Sequence, residues 1–409
     1  MKQIFSFSLI WSLCLSLTLA QQAPKATPEA AGFSSERLAR WTHFVDQEMT
    51  EERLGGAITM IYRKGQLAHF STQGFQDKKQ QVPMSKDGIF YIQSMTKAVV
   101  TTGLMLLYEE GHFNLYDPVS KYLPMFKDMK VLTYPEGKDG PSKLVPAKRD
   151  FTIAEAMTHT TGLLHGLGGD SLNRSYFMNL YMKRHQTIMD RVTALSNMAL
   201  VDQPGESWHY SASPDILAAL IEVFSGKNPA EFLEERLFAP LGMKDTGYNL
   251  EENQHDRLVE VFFPNPKDES GGFYQKTPLT GNTVYGGTHG LFSTASDYMN
   301  FLRMIENQGS FEGKRLLSRK TIELMSANHT RDIYLPGTGY GLGFAVRTNV
   351  GASKTLTSKG ELYWSGLYCT YFMVDPEEDM IGILMTQTFP FNGNLGSQFK
   401  RMVYQAIAD

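Results

Sequence analysis

Apolar and polar positions change period twice along this chain. Ser34 to Met49 alternates apolar and polar residues with the spacing of an amphipathic helix. Ala57 to Tyr62 and Leu67 to Thr72 are short strand-like runs, joined by a turn at Arg63-Lys64-Gly65-Gln66. From Met95 to Glu110, Val, Leu and Met crowd into one long helix that Gly111 stops. Helical spacing recurs at Ile153–His159, Ser213–Ser225, Pro229–Leu237 and Ser296–Glu306. Strand-like runs return only in the last third, at Gly343–Thr348, Leu367–Val374 and Met380–Thr386. Asp375-Pro376-Glu377-Glu378 reads as a hairpin turn between the last two, and Leu395 to Ile407 as a closing helix.

Strands at both ends and helices between them predict an α+β fold. Its simplest form is an antiparallel sheet flanked by terminal helices, with a mainly helical region inserted. The sheet parts fall at about 33–93 and 335–409 and the helical region at about 94–334, within one domain spanning 33–409. Lys127–Arg149 and Asn253–Gly281 are long enough between patterned segments to suggest a functional rim.

Composition narrows the function classes. With 42% hydrophobic and 20% charged residues, a chain of 409 residues can bury a substantial core and is not disordered. The net charge of -4, without a Lys/Arg run, leaves no electrostatic footprint for a nucleic-acid partner. Residues 1–20 carry Lys2, an apolar stretch from Ile4 to Leu19, and small residues at Thr18 and Ala20. That pattern predicts a signal peptide cleaved after Ala20, followed by a leader at 21–32. The apolar run is short and lacks a stop-transfer pattern, so no stable membrane anchor is expected. Cys14 lies inside the signal, which leaves Cys369 unable to form an intramolecular disulfide. Export without disulfides points to a bacterial periplasm or to secretion. Nothing in the pattern fixes an oligomeric state.

Chemistry enters at Ser94-Met95-Thr96-Lys97. On a helix, residues three apart share a face, so hydroxyl and amine can meet and the amine can activate the serine. The same spacing occurs at Ser397-Gln398-Phe399-Lys400. There the closing helix reads as a surface element and the pair as a solvated coincidence. Ser94 instead heads an apolar helix, where backbone N–H groups and the dipole favour developing negative charge. A third group must pass protons to the leaving atom. Tyr298-Met299-Asn300 lies inside a helix, where Tyr298 fits an apolar stripe with Phe301 and Leu302. Tyr210 falls in a loop after Pro204-Gly205 and just before a helix, a place where catalytic side chains gather. His209 beside it is a candidate for tuning that tyrosine. No Gly-x-Ser-x-Gly elbow or His-Glu-x-x-His motif occurs, and His159 with His165 matches no common zinc spacing.

From about residue 30 to the end, the chain resembles the serine β-lactamase-like hydrolases of class C type, which include family VIII carboxylesterases and DD-peptidase relatives. Phe90 to Lys97 is similar to their nucleophile segment. Asn114 to Val119, Thr158 to Leu163, Pro204 to Ser211, Ala239 to Met243 and Gly290 to Ala295 follow in the family's order. The resemblance implies Ser94 as nucleophile, Lys97 and Tyr210 as general base and acid, and no metal or organic cofactor. Tyr363-Trp364-Ser365-Gly366 stands where the family carries its third motif. It implies substrate binding by Trp364, Ser365 and Gly366, and an oxyanion hole made by the N–H groups of Ser94 and Leu367. Gly366 would leave the substrate's approach unobstructed.

Two departures bear on substrate. Trp364 replaces a lysine that would pair with a carboxylate, and Ala212 replaces an amide-bearing asparagine. Both favour a neutral small-molecule ester over a β-lactam or other amide. The rivals are a β-lactamase or DD-peptidase on the same scaffold, and a catalytically idle relative that binds peptidoglycan fragments or a protein partner.

Overall fold

The computed structural model describes residues 25–134, 142–265, 267 and 276–409. The segment read as a signal peptide lies outside them. Eight strands form the main sheet: β1 (Gly56–Arg63), β2 (Gln66–Asp77), β3 (Val82–Pro83), β4 (Thr338–Tyr340), β5 (Ala345–Arg347), β6 (Leu362–Ser365), β7 (Tyr371–Asp375) and β8 (Met380–Thr386). Their order is β4-β5-β6-β7-β8-β1-β2-β3, antiparallel throughout. The two ends of the chain meet at β1 and β8, where Ala57 faces Thr386 and Arg63 faces Met380. The α+β reading holds.

β1 is buried along its whole length because both faces of the sheet are covered. Successive side chains on a strand point to opposite faces. Ala57 and Ile61 go to a core with Trp41 and Val45 of helix α1 (Ser35–Thr50) and Phe399 and Val403 of helix α2 (Gly393–Tyr404). Ile58, Met60 and Tyr62 go to the larger core under the inserted helices. The terminal helices lock together through Trp41 and Phe399, whose ring centroids are 5.1 Å apart. The Trp41 indole also donates to Thr59 Oγ1 at 2.9 Å.

Three local readings are corrected. The strand expected over Leu367–Val374 begins only at Tyr371, as β7, and the residues before it form a tight turn from β6: Gly366 N–H donates to Thr370 O at 2.9 Å and Cys369 N–H to Gly366 O at 3.0 Å. Cys369 takes a φ of 66° there, a left-handed conformation that an apolar run does not announce. The loop Lys127–Arg149 contains a two-stranded ribbon, Lys130–Thr133 against Lys143–Pro146. Ser397 and Lys400 are not a surface pair: Ser397 bonds its own helix, while Lys400 is 3% exposed and its ammonium reaches Glu361 Oε1 at 2.7 Å.

Candidate active site

Ser94 sits in a single 3-10 turn, Gln93–Met95, that feeds helix Thr96–Glu109. The turn is entered from a short strand, Ile89–Tyr91, paired with Phe292–Thr294. That ribbon brings the segment before Phe292 across the helix start: Ile92 N–H donates to Leu291 O at 3.0 Å and Leu291 N–H to Thr96 Oγ1 at 3.3 Å. Thr288 is thereby carried against Lys97, whose Nζ donates to its carbonyl at 2.7 Å. Lys97 Nζ lies 3.1 Å from Ser94 Oγ, as the one-turn spacing requires.

Tyr210 arrives from the opposite side. Its loop is laced to the segment 159–164: Gly205 N–H donates to Thr160 O at 2.7 Å, His209 N–H to His159 O at 3.0 Å and Ala212 N–H to Leu164 O at 3.1 Å. A φ of 82° at Gly205 makes the entry to the loop, a conformation glycine takes without penalty. Tyr210 donates its hydroxyl to Ser94 Oγ at 2.7 Å. Ser94, Lys97 and Tyr210 therefore meet at one oxygen. Tyr298 does not join them: it is fully buried among Phe301 and Phe372 and donates to Met95 O at 3.0 Å, bracing the nucleophile's turn from behind.

The site is dry at its base. Lys97 is 1% exposed, and burial pulls its pKa from 10.5 down to about 7, with Arg191 adding to the effect and Asp215 opposing it. Burial pushes the Tyr210 phenol well up, and contacts with Ser94 and the Trp364 indole only temper this. His159, His165 and His289 surround the same space. Burial holds all three below the usual imidazole range, with His289 at about 3. They are neutral at physiological pH and pack rather than titrate. His165 stacks on Tyr210 at 5.1 Å and 10°, and His159 lies 5.1 Å from the same ring. His209, the residue expected to tune Tyr210, instead bonds Asp202 at 2.5 Å.

The third-motif residues divide. Trp364 faces the site, its ring 5.6 Å from Tyr210 and 5.2 Å from Tyr340. Ser365 alternates to the other face of β6 and lines a separate cavity of about 260 Å³ with Arg347 and Lys400. Packing gives Gly366 a structural reason of its own. A Cβ there would lie 2.6 Å from Ile92 O and 2.3 Å from Thr370 Oγ1. Only glycine lets the β6–β7 turn close onto the nucleophile's own segment, which brings Leu367 beside it.

Sequence reasoning missed the layer behind Lys97. Arg191 Nε donates to Asp215 Oδ2 at 2.8 Å and its Nη2 to Oδ1 at 3.1 Å, and both residues are buried. Asp215 Oδ1 also accepts the Thr288 N–H at 2.9 Å. Asp215 had a visible signal: a carboxylate in the otherwise apolar first turns of helix Pro214–Ser225. Thr288 had none, because it contributes backbone. No group of His, Cys, Asp or Glu among the described residues is arranged to hold a metal ion.

The β-lactamase family model matches residues 41–406. Protein Rv1367c of Mycobacterium tuberculosis is 30% identical over 353 residues, covering 82% of this chain and 86% of that protein. Esterase EstB of Burkholderia gladioli is 28% identical over 389 residues, covering 90% and 94%. In structure, EstCE1, described as a hydrolase with promiscuous acyltransferase activity, superposes with a TM-score of 0.75 at 23% identity, covering 90% of this chain and 99% of its own. The chain belongs to the β-lactamase family and is a serine hydrolase of that family.

Proposed function

We propose that this protein hydrolyses small carboxylic esters through an acyl-enzyme on Ser94. The observation that carries the reading is the convergence of a buried lysine and a protonated phenol on the Ser94 oxygen. With its pKa near 7, Lys97 is largely neutral in mildly alkaline water. A neutral amine can donate to Thr288 O and still offer its lone pair to the Ser94 hydroxyl. Tyr210, held protonated, is the donor of the set. Lys97 is then the base and Tyr210 the acid.

In the forward step the Ser94 O–H proton passes to Lys97 Nζ as Oγ bonds to the ester carbon. The carbonyl oxygen gains the charge and is met by the N–H groups of Ser94 and Leu367. As the intermediate collapses, the bond to the alcohol oxygen breaks, Tyr210 protonates that oxygen, and the Lys97 proton restores the phenol. Water repeats the sequence against the acyl-enzyme and frees the acid. Trp364 gives the cleft an uncharged wall, which supports a neutral substrate over an anionic one. Esterase EstB supports the same class by its name. Export to a periplasm or the medium, with cleavage after Ala20, remains part of this proposal.

A panel of p-nitrophenyl esters run beside nitrocefin tests the reading. Ester turnover should exceed nitrocefin turnover by on the order of 10²-fold or more, the size of effect that one well-placed recognition group supplies. Nitrocefin turnover rivalling that of the esters would favour a β-lactamase on this scaffold instead.

A further inference from the structure

Behind the site lies an ion pair that the reaction above does not use. Arg191 and Asp215 are joined by two hydrogen bonds and stand 6% and 1% exposed. Both are covered by the segment Gly286-Gly287-Thr288, which is pressed onto them without room for side chains. A Cβ on Gly286 would fall 2.3 Å from Arg191 Nη2 and 2.9 Å from Asp215 Oδ1, and one on Gly287 would fall 1.9 Å from Pro214 O. The segment ends at Thr288, whose N–H donates to Asp215 Oδ1 at 2.9 Å and whose carbonyl accepts Lys97 Nζ at 2.7 Å. A continuous chain of contacts therefore runs from guanidinium to carboxylate, peptide and amine, and on to the Ser94 oxygen.

We propose that Asp215, clamped by Arg191, is a positioning residue: through the Thr288 peptide it fixes where the Lys97 amine sits, and with Arg191 it sets the charge that amine experiences. The inference rests on the acyl-enzyme reading of Ser94 and deepens it. The peptide that Asp215 bonds is the one whose carbonyl holds the Lys97 amine, so a displacement of the carboxylate is passed to that amine. The other groups facing Lys97 leave this pair in control of its field. Thr288 O belongs to the same chain of contacts, Tyr210 lies with its ring centroid 4.7 Å from Nζ, and His159, His165 and His289 are neutral. Tyr91 and Tyr181, beside Arg191, are phenols held protonated by burial. The fixed charges acting on Lys97 are then Asp215, which favours the ammonium, and Arg191, which opposes it.

The test is the pH dependence of Ser94 labelling by a fluorophosphonate in four full-length proteins. Relative to wild type, Asp215→Asn should move the acid limb to lower pH and Arg191→Gln should move it to higher pH, each by about one unit, the usual effect of one nearby charge. The double variant Asp215→Asn/Arg191→Gln should fall between them. A common limb in all four, with only the amplitude reduced, would show a purely structural pair and overturn the inference. If a variant with a lone buried charge does not fold, Asp215→Glu decides alone. Displaced by one methylene, its carboxylate no longer holds the Thr288 peptide in place, and labelling should slow about tenfold in a folded protein; an unchanged rate overturns the inference. Failure of the underlying reading looks different, because ester turnover would then survive in Ser94→Ala.

Discussion

A lysine can serve as a base only after losing its proton, and at Lys97 burial brings that event to about pH 7. In the proposed mechanism the neutral amine is the active form, so kcat/KM should rise through pH 7 and fall about tenfold per unit below it, as for a single essential base. An acid limb lying above pH 9 would mean that Lys97 keeps an ordinary lysine pKa. Ser94→Ala should lower p-nitrophenyl butyrate turnover by on the order of 10³-fold or more. Tyr210→Phe should cost roughly 10²- to 10⁴-fold. Tyr298→Phe, by contrast, loses one buried hydrogen bond to Met95 O and should leave kcat/KM within a few-fold of wild type. Equal losses in the two tyrosine variants would contradict the assignment. The three side chains that meet at the Ser94 oxygen were legible in the sequence because each stands in a recognisable local setting. The groups that tune them were not. Thr288 acts through its carbonyl, and His159 and His165 reach Tyr210 only after two distant segments are laced together.

At the scale of elements, the site is a meeting of two turns. The 3-10 turn carrying Ser94 and the β6–β7 turn carrying Leu367 touch at Gly366. Gly366→Ala forces these segments apart. Overpacking of this kind costs about 1–3 kcal/mol, and displacement of a reacting group by roughly an ångström lowers turnover on the order of 10²-fold. Thermal unfolding and kcat measured on the same variant check both effects; full activity in a folded Gly366→Ala protein would remove Leu367 from the oxyanion hole. The helices expected from periodicity are present, but Ser171–Phe177, Ile188–Ser196 and Arg319–Ser326 were not read. The β6–β7 turn was not read either, because Leu362 to Val374 is rich in strand-forming residues and the break depends on Cys369 taking a left-handed backbone.

At the scale of the whole molecule, the two chain ends close one sheet, and the repeated Ser-x-x-Lys spacing takes two different meanings. The first copy sits where a helix start meets the inserted region. The second lies within the terminal helix α2, with Lys400 turned inward and paired to a Glu361 that is fully buried. Lys400→Met would strand that carboxylate and should destabilise the fold by about 3–5 kcal/mol, with kcat of the remaining folded protein unchanged. Urea unfolding beside active-site titration separates the two quantities. The central claim, that the first copy alone is the nucleophile, is met most directly by mass spectrometry of the protein treated with a fluorophosphonate. The account predicts a single adduct on the peptide bearing Ser94, absent in Ser94→Ala and slowed in Lys97→Met. No adduct, or an adduct on Ser397 or another residue, would contradict it.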